Sequence, residues 1–211
     1  MIPREVAPRH LVALLPPPMD AATLESRLQK CRSLTAHALR SSPRIGVLLG
    51  KLSALGCPTS AQAIVCEDVF GAARVGGAFD STSGAVIMNP RVPPGALNQA
   101  DWTRAIAHEL VHAYDSCRVA LAPNDCAHLA CTEVRASNLS GECDFGAEAG
   151  RAPLQLLAGG LGGAQQRCVR RRAELSVGAF PPCAREPGQA ARVVEGVWEA
   201  CYGDPAPFAS N

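Results

Sequence analysis

The sequence predicts an α+β domain in which helices flank a small sheet of short strands. Three observations carry that reading. Apolar residues recur at helical spacing near the amino end, with Leu24, Leu28, Cys31, Leu34 and Leu39 close to one helix face. Between residues 63 and 88 the pattern changes to short apolar runs, rich in Val and Ile, separated by Gly-rich turns. From residue 101 helical patterns return and dominate to the end. At 211 residues the chain can build one domain with a real core.

The elements follow in order. Residues 1–19 hold five prolines and read as a poorly ordered lead. The single domain spans 20–205, and 206–211 read as a tail. A helix is predicted over 21–40, capped by Asp20, and a second over 43–55, stopped by Gly56. Strands are predicted at 63–69, 76–79 and 85–88. Pro93-Pro94-Gly95 makes a loop into a helix over 101–117, and a return helix covers 127–139. Residues 146–163, rich in Gly and Ala, read as a flexible loop, and helices over 164–176 and 188–202 close the domain. No internal repeat is present.

The third long helix carries the chemistry, in the segment His108-Glu109-Leu110-Val111-His112. Two histidines four apart on a helix lie one above the other, so both imidazoles can close on one metal. Glu109, beside His108, can reach a water in the metal's open position and act as its general base. The ion expected is zinc. The alternative is a chance match on a solvated helix. Against it, Ile106, Leu110 and Val111 bury the helix, and buried polar groups are costly unless something binds them.

Catalytic zinc usually takes three protein ligands. Asp115 lies about 10.5 Å along the axis from His108, too far to share an ion with it; it is placed to accept an imidazole N–H instead. The third ligand is Glu133 or His128, both in the return helix. Glu133 is favoured, because a carboxylate from a second helix completes the His/His/Glu zinc peptidases. His128 then bonds to backbone at the helix start. With the metal-bearing helix beneath an edge strand that can pair with an extended peptide, the architecture is zincin-like.

A resemblance to a known family runs through the chain. Its carriers are Cys66-Glu67-Asp68, Gly76-Gly-Ala-Phe-Asp80, His108-Glu-Leu-Val-His-Ala-Tyr-Asp115, Cys117-Arg118, His128-Leu-Ala-Cys-Thr-Glu-Val-Arg135 and Asn138-Leu-Ser-Gly-Glu-Cys143. It continues through Cys168-Val-Arg-Arg-Arg-Ala-Glu-Leu-Ser176 and Val197-Trp-Glu-Ala-Cys201, covering about residues 30 to 208. These segments resemble the mitochondrial inner-membrane metalloprotease family that matures an ATP synthase membrane subunit and aids its assembly. The resemblance implies a zinc endopeptidase on the intermembrane-space side, peripherally bound to the inner membrane, with His108 and His112 as ligands and Glu109 as the catalytic glutamate. It implies a polypeptide substrate, an ATP synthase membrane subunit. It also allows a second activity, an assembly chaperone for membrane subunits that does not need proteolysis.

The chain departs from the family at two positions, reading Cys66-Glu-Asp-Val69 in place of Cys-x-x-Cys, and Met88 in place of a cysteine. Cys126 and Cys183 are additional, which suggests a replacement pair bonded to each other. The rival is short-range pairing, Cys126 with Cys117 or Cys131 and Cys183 with Cys168 or Cys201.

Composition agrees with the compartment. Ten cysteines and no C-x-x-C favour disulfides in an oxidising space over a zinc ribbon or redox pair; buried free thiols are the alternative. Residues 1–20 read neither as a secretory signal nor clearly as an amphipathic transit peptide, which argues against a secreted zincin. No apolar run approaches the ~20 residues of a spanning helix, so membrane attachment is expected to be peripheral. A net charge of +1 argues against a general nucleic-acid binder. Arg170-Arg171-Arg172 reads as a solvated face or a contact for anionic lipid, Trp102 as a staple just ahead of the metal-bearing helix, and Arg135 or Tyr114 as an oxyanion donor or, for Arg135, a partner of Asp115 or Asp80.

Overall fold

A computed structural model describes residues 19–69, 75–92, 98–122, 124–151 and 163–208. The expected lead, apart from Met19, lies outside them, as do Pro93-Pro94-Gly95 and residues 152–162. The fold is α+β, mostly helical with one three-stranded sheet.

The chain opens with α1 (Ala21–Ser41) and α2 (Pro43–Ala54), each started by a side-chain cap. Asp20 accepts from the Thr23 amide at 2.8 Å, and Ser42 from the Ile45 amide at 3.3 Å with Pro43 in the first turn. β1 (Ile64–Cys66), β2 (Gly77–Asp80) and β3 (Ala85–Met88) follow, in spatial order β1-β3-β2. β1 runs parallel to β3 and β2 antiparallel to it, with Phe79 opposite Val86. Asp80 builds the β2–β3 turn by accepting from the Thr82 amide and the Ser83 hydroxyl. Gly84 closes it at φ +75°, where a Cβ would also lie 2.8 Å from Pro58. β1 is shorter than the predicted 63–69, because Ala63 belongs to a 3₁₀ turn, the Glu67 amide makes the last bond to β3, to Met88 O at 3.2 Å, and Asp68 beyond it pairs with Arg91.

α3 (Gln99–Arg118) starts two residues earlier than predicted, because Asn98 caps it by accepting from the Asp101 amide at 2.8 Å. Trp102 therefore sits inside the first turn, not ahead of it. It is buried, and its indole N–H donates to Thr35 Oγ1 of α1 at 3.0 Å, so it anchors two helices. α4 (Cys126–Leu139) is capped by Asp125. A short helix, α5 (Phe145–Arg151), occupies part of the stretch predicted as loop. α6 (Ala164–Ala179) and α7 (Gln189–Tyr202) end the fold. Residues 204–208, where a tail was expected from 206, lie against the domain: Arg135 Nη1 donates to Asp204 O, and Phe208 packs on the core.

Two apolar clusters form. One joins α1, α2, the sheet and α3 through side chains such as Leu48, Leu52, Val86, Ile106 and Leu110. The other joins α4, α6 and α7 through Val134, Val169, Val177 and Trp198. Five disulfides follow this division. Cys31–Cys66 and Cys57–Cys117 lie in the first half, and Cys126–Cys183, Cys131–Cys201 and Cys143–Cys168 in the second. The long-range pair Cys126–Cys183 is thus formed, with Cα atoms 5.6 Å apart.

Candidate metal centre

α3 and α4 pack side by side where the two halves meet, and a cleft of about 780 Å³ opens above them. One wall is β2, from Gly77 to Phe79, with Gly76 just before it; the floor carries His108, Glu109, His112, Thr132 and Glu133. β2 is an edge strand. The bond from the Asn89 amide to Gly76 O sets the phase of the antiparallel ladder, so Ala78 and Asp80 bond inward to β3. Gly77 and Phe79 consequently turn their N–H and C=O groups away from β3, to the edge that no described strand pairs with.

His108 and His112 stand one turn apart, rings edge to face with centroids 4.7 Å apart. Their Nε2 atoms both face Glu133, at 3.5 Å from Oε2 and 3.6 Å from Oε1 respectively. One ligand atom from each of the three residues lies within 4.8 Å of the others. Ligand atoms about 2.0–2.2 Å from a tetrahedral zinc stand roughly 3.3–3.6 Å apart, and each Nε2 lies at that distance from one Glu133 oxygen. Glu133 Oε2 is buried with no hydrogen-bond partner, a costly arrangement that a cation relieves. His128 is not in this group. It lies farther along the cleft, where its Nδ1 accepts from the Ala122 amide at 2.9 Å, a backbone bond near the helix start.

The other ring nitrogens face acceptors. His112 Nδ1 lies 2.9 Å from Thr132 Oγ1, whose own hydroxyl donates to Asp115 Oδ2 at 3.2 Å. With its one proton committed to Asp115, Thr132 accepts from Nδ1–H and leaves the lone pair on Nε2. Asp115 thus reaches the imidazole through a hydroxyl rather than directly, as was expected, because Thr132 on α4 intervenes. Arg135 is 1 % exposed and holds Asp115 by Nε at 2.9 Å. Its remaining nitrogens bond Asp204 and Ala206 O, so it is a structural partner, not an oxyanion donor. Tyr114 packs on the first core under the Arg118 guanidinium and does not line the cleft. On the other side, His108 Nδ1 lies 3.2 Å from Glu142 Oε1, and Arg172 donates to Glu142 Oε2. The arginine run is not one face: Arg170 pairs with Glu195 and Arg171 with Glu148, since successive helix positions point apart.

The carboxyl groups of Glu109, Glu133 and Glu142 line the cleft around the two imidazoles. Burial disfavours the charged form of His108, but Glu142, Glu133 and Glu109 outweigh it and hold its pKa well above the ordinary value. Burial, reinforced by Glu133 and Glu142, pushes the Glu109 carboxyl up against the two histidines. Burial also pushes Glu133 and Glu142 up, yet the neighbouring histidines, and Arg172 for Glu142, leave both below the usual range.

Thr132 and Glu142 were not singled out from the sequence. Thr132 is next to Glu133 on a helix turned toward α3, a usable signal. Glu142 follows the end of α4, and only the Gly141–Glu142–Cys143 step marks it.

A family model, the Peptidase M76 family, matches residues 29–209. The chain belongs to the peptidase M76 family. This M76 chain is 36 % identical over 196 residues, 90 % of its length, to a mitochondrial inner membrane protease ATP23 homolog of Danio rerio, of which it covers 72 %. It is 36 % identical over 182 residues to the homolog of Homo sapiens, covering 85 % of this chain and 69 % of that one. With the atp23 protease of Emericella nidulans the figures are 37 % over 182 residues, 85 % and 71 %. No solved structure matches. M76 membership makes the chain a peptidase acting on a polypeptide and implies a metal; among the described residues, His108, His112 and Glu133 are the group able to hold one.

Proposed function

We propose that this chain is a zinc metalloendopeptidase, zincin-like in architecture, bound peripherally to the mitochondrial inner membrane on its intermembrane-space side. The observation that carries the reading is the convergence of the His108, His112 and Glu133 donors, all within 4.8 Å of one another, on the floor of a cleft walled by the edge strand β2. Bound zinc lowers the pKa of a coordinated water from about 15.7 to about 7. With zinc held by His108, His112 and Glu133, Glu109, buried beside both histidines, would take that proton and pass it to the leaving amine. Gly77 and Phe79 pair with the substrate backbone as an added strand and hold the scissile bond over the floor.

The compartment is supported by relatives named as mitochondrial inner membrane proteases and by ten cysteines all paired. The substrate we assign is an ATP synthase membrane subunit. The test is zinc content and peptide cleavage in the wild type and in Glu109→Gln. About one zinc per chain in both, with cleavage lost by at least about 10²-fold in the variant, is the expected result. Equal cleavage by the two proteins overturns the assignment of the base, and no zinc in either overturns the site. ATP synthase assembly that persists in the Glu109→Gln protein would locate a chaperone activity outside this chemistry.

A further inference from the structure

His108 is held from behind by residues that the reaction itself does not call for. Glu142 is 4 % exposed and lies on the Nδ1 side of the ring, away from the point where the two Nε2 atoms and Glu133 converge. Arg172 of α6 donates to its second oxygen. The loop that presents Glu142 is fixed on every side. Arg44 donates to Leu139 O at 2.8 Å, and Gly141 turns at φ +86°, where a Cβ would lie 2.5 Å from that same Arg44 nitrogen. Ser140 Oγ accepts from the Glu142 amide at 3.3 Å. Cys143, the next residue, is bonded to Cys168, one helical turn before Arg172. Glu142 and Arg172 therefore ride on the two ends of one cross-link.

We propose that Glu142 is a positioning residue for His108 and that Arg172 acts through Glu142. Glu142 accepts the Nδ1 proton, which leaves the Nε2 lone pair aimed at the ion shared with His112 and Glu133. A carboxylate in this place orients the ring and makes it a better donor. Arg172, by engaging the other oxygen, keeps the carboxylate from rotating to the metal itself. The inference rests on the zinc reading of the site. It makes the two imidazoles unlike: His112 is backed by a neutral hydroxyl and His108 by an anion.

The test measures zinc dissociation constants by chelator competition, and thermal unfolding of the zinc-free proteins, for the wild type, Glu142→Ala, Glu142→Gln, Arg172→Gln and the double variant Glu142→Ala/Arg172→Gln. Glu142→Ala should bind zinc roughly 10- to 100-fold more weakly. Glu142→Gln should lose at least about threefold, since its amide oxygen still accepts but without charge, and its zinc-free unfolding midpoint should match the wild type. Arg172→Gln should lose less than Glu142→Ala, and the double variant should be no weaker than Glu142→Ala alone, the mark of two residues acting in series. Zinc held by both Glu142 variants within about twofold of wild type overturns the proposal. Additive losses, or unchanged zinc affinity in Arg172→Gln, overturn the part given to Arg172. If Glu142→Ala fails to fold, Glu142→Gln alone decides. A wild type that binds no zinc removes the site reading beneath the proposal, a result distinct from all of these.

Discussion

Glu133 faces two imidazoles with its two oxygens, and one of those oxygens has no other partner. Replacing it by Gln keeps the shape and removes the charge, so Glu133→Gln should lose most of its zinc on dialysis. His128→Ala should retain it, because that ring is occupied with the Ala122 amide. Metal analysis of the two dialysed proteins reads the contrast directly; equal retention would return His128 to contention. The ligand candidates were visible in the sequence because helical spacing is local: a histidine pair at i and i+4 needs no knowledge of the rest of the fold. The residues behind them were not. Thr132 meets His112 across 20 positions and Glu142 meets His108 across 34, and such contacts depend on how helices dock.

At the scale of elements, β2 exposes Gly77 and Phe79 on alternate positions, so its demand on a bound strand has a period of two. A peptide substrate N-methylated one position at a time should show that period. Methyls on amides that face β2 each remove a hydrogen bond worth about 0.5–1.5 kcal/mol, lowering kcat/KM by roughly two- to tenfold, and methyls on the intervening amides should be nearly silent. A scan without alternation would mean that the substrate does not add to this edge. The helices were legible from apolar periodicity and caps, and Asp20 caps as read. Misjudged positions have local causes. Asn98 starts α3 early through an Asx cap, and the Gly- and Ala-rich stretch hid α5, whose composition reads as loop although Ala147 and Glu148 are buried.

Across the whole molecule the cross-links matter most. Cys126–Cys183 closes a span of 57 residues and ties the start of α4 to the turn before α7. By chain entropy it contributes about 4 kcal/mol. The Cys126→Ser/Cys183→Ser protein should therefore show a denaturant midpoint lower by that stability while still holding zinc, since neither sulfur reaches the cleft floor. A midpoint unchanged by the double substitution would show that packing and the Cys131–Cys201 bridge already hold α4 in place. The even cysteine count signalled disulfides, but which cysteines pair is a property of the finished fold, and spacing leaves many pairings open.

No disulfide joins the two halves. The first, sealed by two bridges, owns both histidines and Glu109; the second, sealed by three, owns Glu133 and Glu142. The metal-binding group is therefore composite: the first half alone brings two imidazoles, the second alone brings carboxylates, and His108, His112 and Glu133 meet only where α3 packs on α4. Anything that parts those two helices takes the site apart while leaving every cross-link intact.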